Sequence, residues 1–183
     1  LYPISGDEEV IYARSERALW ISRDGGMSWD EAASLASRPL ALAVASSKYK
    51  AVYVGTESLG LQISRDRGET WQTVNDPALS LEGAAPVAVT AVTLNPDDES
   101  IVYAAAGVWT GTSTARLTSM GVFVSVDGGS TWRLMEEAPL SFNTVTKLSP
   151  VAGKALAVKA ETADGADTVQ MAYSDELAQG LKS

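Results

Sequence analysis

The sequence predicts an all-β protein made of repeated four-stranded antiparallel units, and three observations carry that reading. The pattern Ser-x-Asp-x-Gly-x-Ser/Thr-Trp occurs three times, at Ser22 to Trp29, Ser64 to Trp71 and Ser125 to Trp132. A short β-branched and aromatic run precedes each copy: Val10-Ile11-Tyr12-Ala13, Ala51-Val52-Tyr53-Val54 and Ile101-Val102-Tyr103-Ala104. The aspartates of the pattern stand 42 residues apart from Asp24 to Asp66 and 61 apart from Asp66 to Asp127, and forty-odd residues is the size of one four-stranded propeller blade.

Within the octapeptide each position has a local role. It reads as a tight turn between two strands, with Gly60-Leu61-Gln62-Ile63 before the second copy and Trp71 opening the next strand. The carboxylate accepts bonds from backbone N–H groups of its own turn, and the Ser and Thr hydroxyls do the same more weakly. Gly supplies a backbone angle other residues reach only with strain, and Trp lays a large apolar face on the neighbouring sheet. A calcium site is the competing use of these carboxylates. It requires several converging oxygen ligands, and the structural reading is the favoured one.

Taken in order, the strands fall into units of an inner strand, a second strand carrying Val-Tyr, a third running into the octapeptide and an outer strand opening with Trp. Inner strands are read at Leu40-Ala41-Leu42-Ala43-Val44, at residues 87–94 and at Val145-Thr146-Lys147-Leu148. The second strands are continuously apolar, as befits strands covered on both faces. Leu1-Tyr2-Pro3 before Val10 mirrors Leu94-Asn95-Pro96 before Ile101, so Leu1 reads as the end of an inner strand. A fourth unit decays: Lys154 to Val158 is its second strand, Asp164-Gly165 a hairpin turn, Thr168 to Tyr173 its third strand, and Tyr173-Ser174-Asp175-Glu176-Leu177 a pattern without Gly and Trp. The expected units are residues 1–35, 36–76, 77–137 and an incomplete 138–183, together one propeller segment, roughly half of a seven- or eight-bladed ring. A self-contained four-bladed ring is the alternative.

The octapeptide is the Asp box, or BNR repeat, and three copies make the chain resemble Asp-box β-propellers. These include sialidases, xyloglucan-degrading glycosidases, sortilin-type receptors and the photosystem II stability and assembly factor with its bacterial relatives. Compact blades with Val-Tyr ahead of the box resemble the last group most. The resemblance implies a non-catalytic, protein-binding scaffold, an accessory or assembly subunit of an extracytoplasmic (periplasmic, secreted or envelope-associated) complex. A glycan-binding or sialidase-like glycoside hydrolase fragment is the alternative. It assigns the structural box positions Ser22, Asp24, Gly26, Ser28 and Trp29, then Ser64, Asp66, Gly68, Thr70 and Trp71, then Ser125, Asp127, Gly129, Thr131 and Trp132.

Composition narrows the chemistry. The 183 residues are 45% hydrophobic and 20% charged, with no Cys and no His. Disulfides and thiolate metal sites are excluded, and the commonest general base is absent. No cofactor is called for, and no metal site. A net charge of −9 argues against nucleic acid as a partner and against anionic lipid. No run reaches the eighteen or so apolar residues of a membrane-spanning helix. A sialidase needs three converging arginines, yet Arg23, Arg65 and Arg67 fall in box turns, and other glycosidases need two carboxylates across a cleft. Asp76, Glu82 and Glu136 are the available candidates, and loop carboxylates are usually solvated.

Recognition is expected opposite the boxes. Trp71 to Tyr103 is 32 residues where Trp29 to Tyr53 is 24, and Tyr103 to Asp127 is 24 where Tyr53 to Asp66 is 13. The third unit therefore carries two insertions, in 76–86 and 107–121, on one face of an up-and-down blade, and long loops on a rigid scaffold carry recognition. Trp109 is the candidate anchor, with a fold-back onto its own blade as the competing reading. Arg116 either clamps an acidic partner group or pairs with Glu82, and Asp76 and Glu82 complete the candidate partner-binding set.

Overall fold

The computed structural model describes residues 2–4, 7–16, 18–32, 35, 37–45, 50–79, 87–111, 116–135, 144–151, 155–161 and 168–174. Four antiparallel sheets follow one another along the chain. The first holds β1 (Tyr2–Ile4), β2 (Asp7–Arg14), β3 (Leu19–Ser22) and β4 (Asp30–Glu31). The second holds β5 (Pro39–Val44), β6 (Val52–Thr56), β7 (Leu61–Ser64) and β8 (Gln72–Thr73), and ends in a 3-10 turn at Pro77–Leu79. The third holds β9 (Val87–Leu94), β10 (Val102–Thr110), β11 (Arg116–Ser125) and β12 (Arg133–Leu134). In the fourth, β13 (Thr144–Val151), β14 (Ala155–Glu161) and β15 (Thr168–Ser174) pair in that order. Glu82, Glu136, the Asp164-Gly165 turn and the degenerate box from Asp175 onward lie outside the described residues.

The second strands of the second and third sheets are buried on both faces because each of these sheets lies between two others. Val52–Thr56 is buried at every position. Period-2 alternation sends Val52 and Val54 toward the first sheet, where they pack with Val10, Tyr12, Leu19 and Ile21. Tyr53 points the other way and joins Leu61 and Ile63 against Val89, Val102 and Phe123 of the third sheet. Tyr103 and Val124 repeat the pattern toward Val145 and Leu148. The core is thus a series of interblade layers, and each fully buried Val, Leu or Ile contributes about 1.5–3 kcal/mol.

Three sequence expectations change in detail. The outer strands begin one residue after each Trp and are only two residues long, all exposed. Short polar edges of this kind resist edge-to-edge pairing. The inner strand of the first sheet runs to Ile4, three residues past the expected end at Leu1, and Pro3 pairs with Ile11 as Leu94 pairs with Val102. The second insertion of the third unit is mostly strand: Gly107 to Thr110 pair with Ser119 to Arg116, and as β9 pairs only as far as Val108, Trp109–Thr110 and Arg116–Leu117 run on as a two-stranded ribbon.

Candidate functional site

The three boxes repeat one hydrogen-bond scheme. Ser22 Oγ donates to Asp24 Oδ1 at 2.8 Å and accepts the Gly26 N–H at 2.8 Å. The Ser28 N–H and hydroxyl then close on Asp24 Oδ1 and Oδ2 at 2.8 and 2.6 Å. Ser64, Asp66, Gly68 and Thr70 make the same set, as do Ser125, Asp127, Gly129 and Thr131. The glycine is required: φ is +96°, +90° and +87° at Gly26, Gly68 and Gly129, where side-chain-bearing residues are strained. Both oxygens of every box carboxylate therefore already accept donors of their own turn.

These bonds also hold the acids ionised. Asp24 is lowered from 3.8 to about 2, first by the Ser28 hydroxyl and then by the Ser28 N–H and Ser22. Asp66 is lowered to about 2, first by the Thr70 hydroxyl. At Asp127 burial pushes upward and is outweighed by Thr131 and Ser125, so the net direction is down. The unfolded chain takes up protons near the ordinary value before the folded one does. The boxes' contribution is then present above about pH 4 and lost as pH falls toward about 2. We expect the melting temperature to drop across that window, and the drop to be shallower for Asp66→Asn than for the parent. Equal slopes would separate the boxes from acid stability.

Between blades, the box turns receive the tyrosines of the preceding sheet. Tyr12 Oη donates to the Arg67 carbonyl at 2.9 Å and Tyr53 Oη to the Gly128 carbonyl at 3.1 Å. Arg65 adds a 3.1 Å bond to the same Gly128 carbonyl. Sequence reading placed these tyrosines on strands without a role. The signal was present, since the residue after Val or Ile in each second strand is Tyr.

Of the expected recognition residues that are described, Asp76 and Trp109 enter different contacts. Asp76 Oδ1 accepts the Ala78 N–H at 2.8 Å, and Oδ2 accepts the Trp132 N–H at 2.9 Å, so its carboxylate fastens the end of the second blade to the third box. Trp109 does not fold back on its own blade. Its indole N–H donates to the Glu57 carbonyl at 2.9 Å, pinning the ribbon to the β6–β7 turn of the second sheet. Glu57 in turn lies 3.5 Å from Arg38, whose Nε donates to the Glu16 carbonyl at 2.8 Å. This line of contacts ties three blades together along one rim. Arg116 is exposed on the ribbon.

A concavity lies along the inner wall. A cleft of about 620 Å³ is lined by residues 40–44 of β5, 90–94 of β9 and 146–148 of β13, together with Arg14. Small residues such as Ala41, Ala43 and Ala91 let the inner strands approach closely, and Thr90 Oγ1 donates to the Val145 carbonyl across them at 2.7 Å. Among the described residues its charged lining is Arg14 and Lys147, with no carboxylate. Arg14 Nη1 is held at 3.1 Å by the Pro39 carbonyl, which leaves guanidinium donors for a ligand. Neither cation was singled out from the sequence, because only the fold brings a second strand and a distant inner strand to one wall.

Alternating blade sheets, interblade cores and box turns define the chain as an array of Asp-box β-propeller blades. Comparison with known proteins agrees. The BNR/Asp-box repeat description matches residues 62–73. The fold is similar to a GH74 xyloglucanase from Xanthomonas campestris, at TM-score 0.61 and 20% identity over 82% of this chain and 24% of that one. It is similar to YCF48 from Cyanidioschyzon merolae, at TM-score 0.52 and 16% identity over 94% of this chain and 54% of the other. A structure of YCF48 bound to D1 peptide matches at TM-score 0.50 and 12% identity, over 97% and 58%. The chain thus spans from a quarter to just over half the length of these structures. No curated protein sequence matches it. Among the described residues, no helix is long and apolar enough to cross a membrane.

Proposed function

We propose that this chain is a non-catalytic, protein-binding stretch of an Asp-box propeller, an accessory or assembly subunit of an extracytoplasmic complex, and that its inner groove takes an acidic peptide segment. The observation that carries this reading is the lining of the groove, which among the described residues holds Arg14 and Lys147 and no carboxylate. Glycoside cleavage by the usual route needs a pair of carboxylates facing the bond, whereas two cations along a wall of apolar and Thr side chains suit an extended, negatively charged chain. A bound D1 peptide in a structure of similar fold supports a peptide as the ligand class. The extracytoplasmic placement follows the Asp-box proteins the chain resembles. Arg116 on the ribbon is the remaining candidate contact outside the groove.

The test is fluorescence anisotropy with a labelled decapeptide of alternating Glu and Ala, against a Lys/Ala control. Binding should weaken with salt and fall about tenfold or more for Lys147→Glu, and further when Arg14→Glu is added. Binding unaltered by Lys147→Glu would remove the groove from the reading. Release of reducing sugar from xyloglucan would replace it with the glycosidase alternative.

A further inference from the structure

The first and second blades give the same box arginine different neighbours. Arg23 and Arg65 both follow the box serine. Asp30 and Gln72 both open the outer strand, Asp30 paired with Ile21 and Gln72 with Ile63. In the first blade the arginine is neutralised, since Arg23 Nη1 lies 3.6 Å from Asp30 Oδ2. In the second blade a neutral amide takes the acid's place, and Arg65 forms no ion pair among the described residues. The box of the following blade changes in the same sense. Ile21 sits over Gly68 and Ile63 over Gly129, and the residue after that glycine is Glu69 in one case and Ser130 in the other.

A pocket opens beside Arg65, between the outer edge of the second blade and the box turn of the third. Its volume is about 400 Å³, within the roughly 300–1,000 Å³ usual for small-molecule sites, and it shares no lining residue with the inner groove. Arg65 Nη2 is held at 3.1 Å by the Gly128 carbonyl, which fixes one end of the guanidinium and leaves its remaining N–H donors for a ligand. The exposed amides of Gln72 and Asn75 and the exposed Ser130 hydroxyl line the same space, and Val74 and Pro77 add apolar surface. Asp76 is the one carboxylate in this lining. Its two oxygens are taken by the Ala78 and Trp132 N–H groups.

We propose that this pocket is a binding site for a small hydroxylated organic acid with the chemistry of a hexuronate. Its carboxylate meets Arg65, its hydroxyls meet Gln72, Asn75 and Ser130, and a C–H face of its ring lies on Val74 and Pro77. A guanidinium meets a carboxylate through two parallel N–H donors, and an arginine without an internal acid keeps that pairing open. Primary amides both donate and accept, as a hydroxyl requires of its partner. A neutral sugar leaves the guanidinium without a counter-charge, and a simple carboxylate leaves the amides unused. The equivalent place between the first and second blades does not qualify. Arg23 is already paired with Asp30, and Glu69 stands in the box position of Ser130, where it would repel an anion.

The experiment titrates the isotope-labelled full chain with sodium D-glucuronate, D-glucose and sodium acetate at constant ionic strength. The Arg65 Nε–H, the Gln72 and Asn75 side-chain amides and the Gly129 N–H are followed by NMR. Glucuronate should shift these signals along a saturable curve, with glucose and acetate each about tenfold or more weaker. Arg65→Gln and Ser130→Glu should each weaken glucuronate about tenfold or more, while Arg23→Gln leaves the curve unchanged. Ser130→Glu keeps Arg65 in place and copies the box of the second blade, so its loss reports charge and not unfolding. No saturable shift, a shift that survives Arg65→Gln, or a response to glucose or acetate equal to that of glucuronate overturns the proposal. So does a glucuronate shift centred on Arg14 and Lys147, which would assign the acid to the inner groove.

Discussion

Replacing Trp132 by Ala should cost about 3–5 kcal/mol, and the cost should exceed that of Trp71→Ala although both tryptophans occupy the same box position. Trp132 is 6% exposed and packs in the layer between the second and third blades. Its indole N–H donates to the Gly129 carbonyl at 3.1 Å, and its backbone N–H donates to Asp76. Truncation removes the aromatic volume and leaves the Gly129 carbonyl short of a donor. Trp71 is only partly buried, against the layer between the first and second blades, and its indole Nε1 is buried without a hydrogen-bond partner. An unsatisfied buried donor costs about 1–3 kcal/mol, so Trp71→Ala relieves a penalty while it loses packing. Chemical denaturation of the two variants beside the parent checks the order. Equal losses would mean that box position, and not the local environment, sets the contribution.

The repeat made the fold legible in advance. Val-Tyr runs, the 42-residue spacing and the box turns each carry a local physical cause, and β9 emerges at the expected residues 87–94. Long-range geometry was not legible. The 107–121 insertion reads as a Gly/Ser/Thr-rich loop because small and polar residues occupy most of its paired positions, and the alternation of β11 between exposed and partly buried leaves no clear apolar pattern in the sequence. Trp109 was read as a partly exposed anchor or as folded onto its own blade; it is partly exposed, and its indole N–H reaches the Glu57 carbonyl of another blade. Asp76 looked like a solvated loop acid for the same reason: its acceptor role toward Trp132 depends on a contact 56 residues away. Arg14 and Lys147 carried no signal at all, since a lone cation on a strand acquires meaning only from the wall it shares.

Gly55→Ala should be destabilising by about 2–3 kcal/mol, a large effect for one methyl group, and the reason is backbone approach between blades. Gly55 lies in β6 without a positive φ, so Ala fits its backbone and would gain roughly 0.4–1 kcal/mol by restricting the unfolded chain. Against that gain, the new Cβ would stand 2.3 Å from the Val89 carbonyl oxygen, 2.8 Å from Val89 Cγ1 and 3.1 Å from Ala41 Cβ. A side-chain tip can rotate away, but the Val89 carbonyl belongs to β9, paired along its length with β10. Nearby, the Gly60 N–H donates to the Val87 carbonyl at 2.9 Å, tying the second blade to the start of β9 by a direct backbone bond. Relief therefore requires the second and third sheets to part, loosening the layer that holds Tyr53, Ile63, Val102 and Phe123. Gly60 provides the contrast: at φ +67° its Cβ would meet nothing within 4 Å, so Gly60→Ala should cost only the left-handed backbone term of about 1–2 kcal/mol. Urea unfolding of both variants separates the causes. A Gly55→Ala protein as stable as the parent would show that the sheets can part without penalty, and that the close approach is a consequence of the packing and not a constraint on it.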